Sequence, residues 1–175
     1  MGTQSRRGLS ELSQVLWNER ATLELVLFRL DAQRLLLLDD QQRWTGQANQ
    51  ELDAALDQLG ATELNRAVAT AAAATDLGVG LSAGLRELAA AAPPPWPMVI
   101  EWHIDAIVGL AEEIFGAAAR NRALLDERLD MLHKALAAPS QAESIRLLVH
   151  AAALHVAIAT NDRVLQPSLV DALKG

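Results

Sequence analysis

A row of apolar residues spaced seven positions apart dominates the first part of the chain. Its members are Leu9, Leu16, Leu23, Leu30, Leu37 and Trp44. Apolar residues at this spacing keep one side of a helix against a neighbouring helix along its length. No proline or glycine interrupts the chain between Gly8 and Gly46. The pattern therefore predicts one long helix from about Ser10 to about Gly60.

A second apolar seam occupies residues 100–136. Its members, at spacings of three and four, are Ile100, Ile104, Ile107, Ala111, Ile114, Ala118, Asn121, Leu125, Leu129, Leu132 and Leu136. Two long seams predict an antiparallel pair of long helices. Shorter helices are predicted between them, one from about Thr62 to Gly78 and one capped by Ser82. Prolines 93–95 end the latter, because proline lacks a backbone donor.

A fifth helix is predicted after Pro139. Ser140 and Glu143 form a capping box at its start, and the helix should fade by Asn161. The domain boundaries that follow are a helical bundle over 1–138, a C-terminal helix over 139–160 and a flexible tail over 161–175. The apolar face of the fifth helix consists of Ile145, Leu148, Val149, Ala152 and Val156.

The composition narrows the fold class to all-α. Hydrophobic residues make up 51% of the 175, tyrosine is absent and phenylalanine occurs twice, a choice that suits helices better than sheets. We therefore expect an elongated antiparallel helical bundle, dominated by two long helices with shorter helices between them and a C-terminal helix.

Charge and cysteine content exclude several classes of function. The net charge of −7 disfavours nucleic acids and anionic lipid surfaces as partners. The absence of cysteine removes disulfides and thiolate chemistry and suits the cytosol. The start of the chain lacks the apolar stretch of a signal peptide, and no apolar run is long enough for a membrane span. We expect a soluble, cytoplasmic protein with no membrane insertion.

Candidate catalytic and metal-binding residues do not form a recognisable motif. His150 and His155 are five positions apart and diverge on a helix, and adjacent Glu112 and Glu113 diverge likewise. His103 and His133 stand apart from other ligand types, so all four histidines should face solvent or lie at the core edge. The sequence predicts no enzyme activity, no metal and no cofactor.

Asn121 is the unusual member of the second seam. A polar side chain at a buried seam position weakens packing but fixes the register of the helices, which is the role we predict; direct contact with a binding partner is the alternative. Trp17 and Trp44 are expected to pack at the seam edge, although tryptophan is also common in binding hot spots.

Several segments together resemble the actinobacterial type of FlgN protein. They are Leu16-Trp17-Asn18-Glu19-Arg20, Leu27-Phe28-Arg29-Leu30, Arg43-Trp44, Glu63-Leu64-Asn65-Arg66, Ala92-Pro93-Pro94-Pro95-Trp96 and Asn121-Arg122 followed by Leu124-Leu125. The resemblance covers about residues 9–138. It weakens afterwards, because the tail lacks the tyrosine and glycine that many family members carry there.

The resemblance implies a cytoplasmic flagellar export chaperone. Such a protein binds the C-terminal amphipathic region of hook-associated junction proteins and presents them to the flagellar type III export apparatus, with no cofactor. By the same resemblance, and because Pro139 detaches it from the main pair, the fifth helix, Ile145 to Val156, is expected to be a switchable element that faces the client; a permanently docked bundle helix is the alternative. A monomer or a weak homodimer is expected.

Two other classes of function remain open from the sequence. A generic coiled-coil scaffold or dimerisation module would pair the seams between chains. A ligand-binding bundle or enzyme would need inward polar groups, for which the seams offer only Glu19, Gln33, Asp40 and Asn121.

Overall fold

The structure, a computed structural model, describes residues 3–39, 41–136 and 141–166. Its helices are α1 (Thr3–Leu38), α2 (Gln42–Leu77), α3 (Leu85–Ala91), α4 (Trp96–Leu136) and α5 (Gln141–Val164). No strand occurs within these ranges. The predicted all-α helical bundle is confirmed.

The first predicted helix is two helices, so its predicted end at Gly60 is wrong. α1 ends at Leu38, where Gln41 N–H donates to Leu36 O (2.9 Å) instead of continuing the helical pattern. Asp39 lies in this turn and accepts a hydrogen bond from the Gln41 amide side chain (2.8 Å). Aspartate has a low helix propensity because its side chain can bond to backbone groups outside a helix, and the helix ends beside Asp39 without proline or glycine.

The predicted helix starts at Ser10 and Thr62 are also wrong, because α1 begins at Thr3 and residue 62 lies inside α2. α2 continues through Gly60 and ends before Gly78, whose positive φ of 71° is the expected cap conformation. α3 is capped by Gly84 without a side-chain hydrogen bond, so the predicted cap at Ser82 is wrong. α5 extends to Val164, past Asn161. Pro139 and Ser140 lie outside the described residues, and the predicted domain boundaries stay a prediction.

Contacts among the helices divide the chain into two compact units. Within the described residues, unit 1 comprises residues 3–25 and 57–112, and unit 2 comprises 26–56 and 113–166. Unit 1 thus holds α3, and unit 2 holds α5. Each unit also contains part of α1, α2 and α4.

The first predicted seam and most of the second are buried. Leu9, Leu16, Leu23, Leu30 and Leu37 have 2% exposure or less, as do the second-seam residues Ala111, Ile114, Ala118, Asn121 and Leu125. The end of the second seam, Leu129, Leu132 and Leu136, is only partly buried. Trp44 is the exception in the first seam. It is half exposed, because the helix carrying the seam ends at Leu38 and Trp44 belongs to α2.

The direction of the helices within unit 2 differs from expectation. Leu30 of α1 lies beside Asn121 of α4, and Leu37 shares a core cluster with Leu125, so α1 and α4 run parallel there. The predicted antiparallel pairing of the two seams is therefore wrong. α2 runs antiparallel to α1 and returns the chain before α4 begins; α5 in turn runs antiparallel to α4. These directions follow from the pairs Arg29–Glu51, Gln33–Asn49, Arg122–Asp162 and His133–His155.

Candidate functional site

The predicted apolar face of α5 is uncovered. Ile145, Leu148, Val149 and Val156 have exposed fractions of 69%, 57%, 67% and 53%, and Ala152 is also exposed. Isolated exposed apolar residues are ordinary, but a set on one side of a single helix marks a surface that suits an apolar partner. We call these five residues the outer face of α5.

The opposite side of α5 is the one that packs into unit 2. Its buried residues include Ala151, Leu154, Ala157 and Val164. Leu154 and Ala157 join Leu37 of α1 and Leu125 of α4 in one core cluster. We call this side the docked face. The docked face is not evident from the sequence because its alanines and polar residues are less hydrophobic than the outer face.

A network of four side-chain amides lies between the helices of unit 2. Its members are Gln33 of α1, Asn49 of α2, Asn121 of α4 and Asn161 of α5, all with exposure of 1% or less. Gln33 Oε1 accepts hydrogen bonds from Asn121 Nδ2 (3.0 Å) and Asn161 Nδ2 (2.8 Å). Gln33 Nε2 donates to Asn49 Oδ1 (2.8 Å). One amide from each helix therefore meets at Gln33.

The network is anchored to the backbone of two helices, α1 and α5. Asn121 Nδ2 donates to Leu30 O of α1 (2.7 Å), and Asn49 Nδ2 donates to Ala153 O of α5 (3.2 Å). Asn161 Nδ2 donates to Ala157 O (2.9 Å). Buried amides with partners at these positions fix how far one helix slides along another, since a shift breaks several bonds at once.

Ion pairs surround the docked face at the surface of unit 2. Arg163 pairs with Asp53 (2.7 Å), which also accepts a hydrogen bond from Thr160 (3.2 Å). Arg122 pairs with Asp162 (2.9 Å). These contacts and the amide bonds that reach α5 involve its residues 153–163, whereas residues 145–150 contain no buried residue. The C-terminal part of α5 therefore carries most of its docking.

Unit 1 carries an aromatic cluster between α1 and α4. The ring centroids of Trp17 and Trp102 are 5.0 Å apart, and each indole is about half exposed. The Arg20 guanidinium lies 4.6 Å from the centroid of Trp17 and 4.2 Å from that of Trp102. A cation held between two indoles stabilises their arrangement. Trp17 thus packs at the seam edge, as predicted.

His103 lies beneath this cluster and is fully buried, so the prediction of a solvent-facing or core-edge histidine is wrong here. Its Nε2 is 3.2 Å from Ser13 Oγ, and its ring meets both indoles edge to face. Burial lowers the pKa of His103, and the nearby Arg20 charge lowers it further. The neutral ring is therefore the form that the core accommodates.

A buried carboxylate lies between α1 and α2 in unit 1. Glu19 has no solvent exposure, and Arg66 Nε is 3.1 Å from its Oε1. Burial raises the pKa of Glu19 to about 7; the Glu63 charge acts in the same direction and Arg66 opposes it. Glu19 was one of the inward polar groups expected of an enzyme or ligand-binding bundle. It lies in unit 1, whereas Gln33 and Asn121 lie in unit 2, and Asp40 is outside the described residues.

Unit 2 also has a cleft of about 320 Å³ between α1 and α2. Leu36, Trp44 and Ala48 line it, and the ion pair of Arg29 with Glu51 lies at its edge. Trp44 therefore lines a surface cleft instead of extending the seam. The cleft holds no cluster of titratable groups beyond this ion pair.

The remaining candidates for chemistry do not gather into one cluster. His133 and His155 are neighbours, with ring centroids 6.3 Å apart, while Glu112 and Glu113 are exposed. Across the described ranges no three potential metal ligands come together. None of the helices described there has the length and apolar character needed to cross a membrane.

A small helical bundle that leaves one face of a helix apolar and uncovered has a surface that suits an amphipathic segment of another protein. The sequence profile of the family described as FlgN protein matches residues 1–147. The chain therefore belongs to the FlgN family of flagellar export chaperones. No curated protein and no solved structure gives a significant match.

Proposed function

We propose that this protein is a cytoplasmic export chaperone that binds the C-terminal amphipathic region of a hook-associated junction protein and delivers it to the flagellar export apparatus. The observation that carries the proposal is the outer face of α5, which leaves four large apolar side chains in solvent. Family membership supports the general role of export chaperone.

The outer face suits an amphipathic helix in size and character. Ile145, Leu148, Val149 and Val156 repeat at helical spacing along one side of α5. Covering a large apolar side chain fully contributes about 1.5–3 kcal/mol. Part of this is offset by the entropy lost when the client is ordered, so affinity follows from how well the client covers the face.

The packing of the docked face leaves α5 able to bind a client without moving. α5 packs into unit 2 through Leu154 and Ala157 while the outer face stays open. A client helix therefore needs no displacement of α5 to reach the outer face. In this proposal α5 is at once a strut of unit 2 and the surface that the client contacts, and neither turnover nor a cofactor is required.

Calorimetry with two fragments of a cognate hook-associated protein tests the choice of client region. The C-terminal peptide should bind, and the central domain should not, because the outer face offers apolar surface for an amphipathic helix. Binding by the central domain alone would contradict the proposal.

A pair of substitutions tests the surface. Leu148→Asp with Val149→Asp should abolish peptide binding and leave the melting temperature nearly unchanged, because both side chains are exposed. Leu154→Asp is the matched control on the docked face; it should lower the melting temperature by many degrees. Peptide binding that survives the double substitution would remove the outer face from the mechanism.

The outer face could also pair with a second copy of the chain, as the hypothesis of a dimerisation module requires. Light scattering after size exclusion separates the two cases. The chaperone proposal expects a monomer or a weak homodimer whose association is lost when the client peptide is added. A stable dimer that persists when the peptide is added would favour the hypothesis of a coiled-coil scaffold.

A further inference from the structure

α5 hides its less apolar side and exposes its more apolar one. The docked face buries two alanines, one leucine and one valine together with the polar residues Thr160 and Asn161. The outer face holds Ile145, Leu148, Val149 and Val156. Burial of apolar surface alone would favour the reverse orientation, with the outer face against unit 2 and the docked face in water.

The polar contacts of α5 oppose that reversal. Asn161 bonds to Gln33, and Ala153 O accepts from Asn49, so two bonds of the amide network reach the docked face. In the reversed orientation Gln33 would lose its donor Asn161 and Asn49 would lose its acceptor Ala153 O, and both amides would remain buried. Leaving buried amides unpaired is costly, and the cost applies to one orientation only.

We propose that the amide network centred on Gln33 is a positioning device that selects which face of α5 stays in solvent. Its bonds are made with the docked face inward, and they hold the outer face open. The purpose of this device, keeping a client surface available, rests on the proposed function. The orientation itself does not, and it can be measured without any client.

The chain contains no cysteine, so single thiols can report the orientation of α5. Val149→Cys places a thiol on the outer face, and Ala157→Cys places one on the docked face, where Ala157 has no exposure. Reaction rates with a soluble maleimide are measured for each variant. In the otherwise unchanged protein, the thiol at 149 should react at least ~100-fold faster than the thiol at 157, which requires local opening.

Gln33→Met removes the centre of the network while keeping the side-chain length. We expect a reciprocal change: labelling at 157 becomes faster, labelling at 149 becomes slower, and the ratio of the two rates moves by more than ~10-fold. Gln47→Met is the matched control. Gln47 lies on α2 in the same unit, is exposed and bonds only to Glu51 among the contacts seen, so both rates should stay as they were.

Two outcomes would overturn the inference. Unchanged rates at both positions in Gln33→Met would show that the network does not choose the orientation, and faster labelling at both would show that α5 simply detaches. If Gln33→Met does not fold by circular dichroism, Asn49→Leu makes the same comparison, since it removes the bond to Ala153 O. A reciprocal change without client binding to the outer face would keep this inference and reject the proposed function.

Discussion

Asn121 donates both of its amide hydrogen bonds inside unit 2, to Leu30 O and Gln33 Oε1, and its Oδ1 has no partner there. With no exposure it does not reach a partner protein, so in this structure the alternative of direct client contact does not apply. Its place in the amide network suits the predicted role in setting register, which stays a prediction.

Replacing Asn121 gives a stability test at this scale. Asn121→Leu should lower the free energy of unfolding by about 1–3 kcal/mol, because it leaves Gln33 short of a donor in the core. Denaturation by urea measures the change. Asn18→Leu, on the exposed side of α1, is the control and should stay within about 0.5 kcal/mol of the unchanged protein.

Glu19 predicts a pH dependence of stability. Because burial raises its pKa to about 7 in the folded protein, the folded state binds more protons than the unfolded state between the ordinary glutamate pKa and about pH 7. Stability should therefore fall as the pH rises through this window and level off above it. Glu19→Gln, which stays neutral, should remove that fall.

The melting temperature between about pH 5 and about pH 8 measures this effect. We expect the unchanged protein to lose about 5 °C relative to Glu19→Gln over that range. Glu11→Gln changes an exposed glutamate of the same helix and serves as the control. Parallel pH curves for the unchanged protein and Glu19→Gln would contradict the assignment.

At the scale of the helix, a helix end was predicted at Gly60 because glycine often ends helices. Instead, α2 passes through Gly60, and a Cβ added there would have no atom within 4 Å. Gly60→Ala should therefore raise the free energy of unfolding by about 0.5–1 kcal/mol. Gly78→Ala should lower it, since the positive φ of Gly78 strains any other residue. Thermal melting separates the two.

The seams were predictable from the sequence because each follows from the geometry of a single helix. A period of seven or of three and four identifies the buried side whatever packs against it, so Leu9 to Leu37 and Ile100 to Leu125 were placed correctly. The direction of packing depends on the connections, and an unexpected turn at Asp39 reversed the expected pairing of α1 with α4.

For α5, by contrast, hydrophobic periodicity did not show which face is buried. Both sides of the helix are apolar, so hydrophobicity alone identified the outer face and missed the docked one. The polar residues Thr160 and Asn161 could have identified the docked face, because they lie on the same side of α5 as Leu154 and Ala157. Polar residues aligned with apolar ones in this way suit a packed interface in which they find hydrogen-bond partners. Which amides meet depends on three other helices and is not readable from α5.

On the scale of the whole molecule, three helices are common to both units, which predicts that the units unfold together. Leu125→Ala, in unit 2, should lower the free energy of unfolding by about 2–5 kcal/mol. Trp44→Phe leaves Trp17, Trp96 and Trp102, all in unit 1, as fluorescent reporters. Their unfolding transition should shift by the same amount as the helical circular dichroism. Two separate transitions would contradict the coupling.

The parallel course of α1 and α4 has a consequence for the order in which the protein is assembled on the ribosome. α1 and α2 emerge first, yet unit 1 is complete only after residue 112, and unit 2 only when α5 has been made as far as Val164. Until then Leu30 and Leu37 lack the helices that cover them. During synthesis a chaperone of this fold is thus itself a chain with uncovered apolar seams, and α5 is the element that completes their cover.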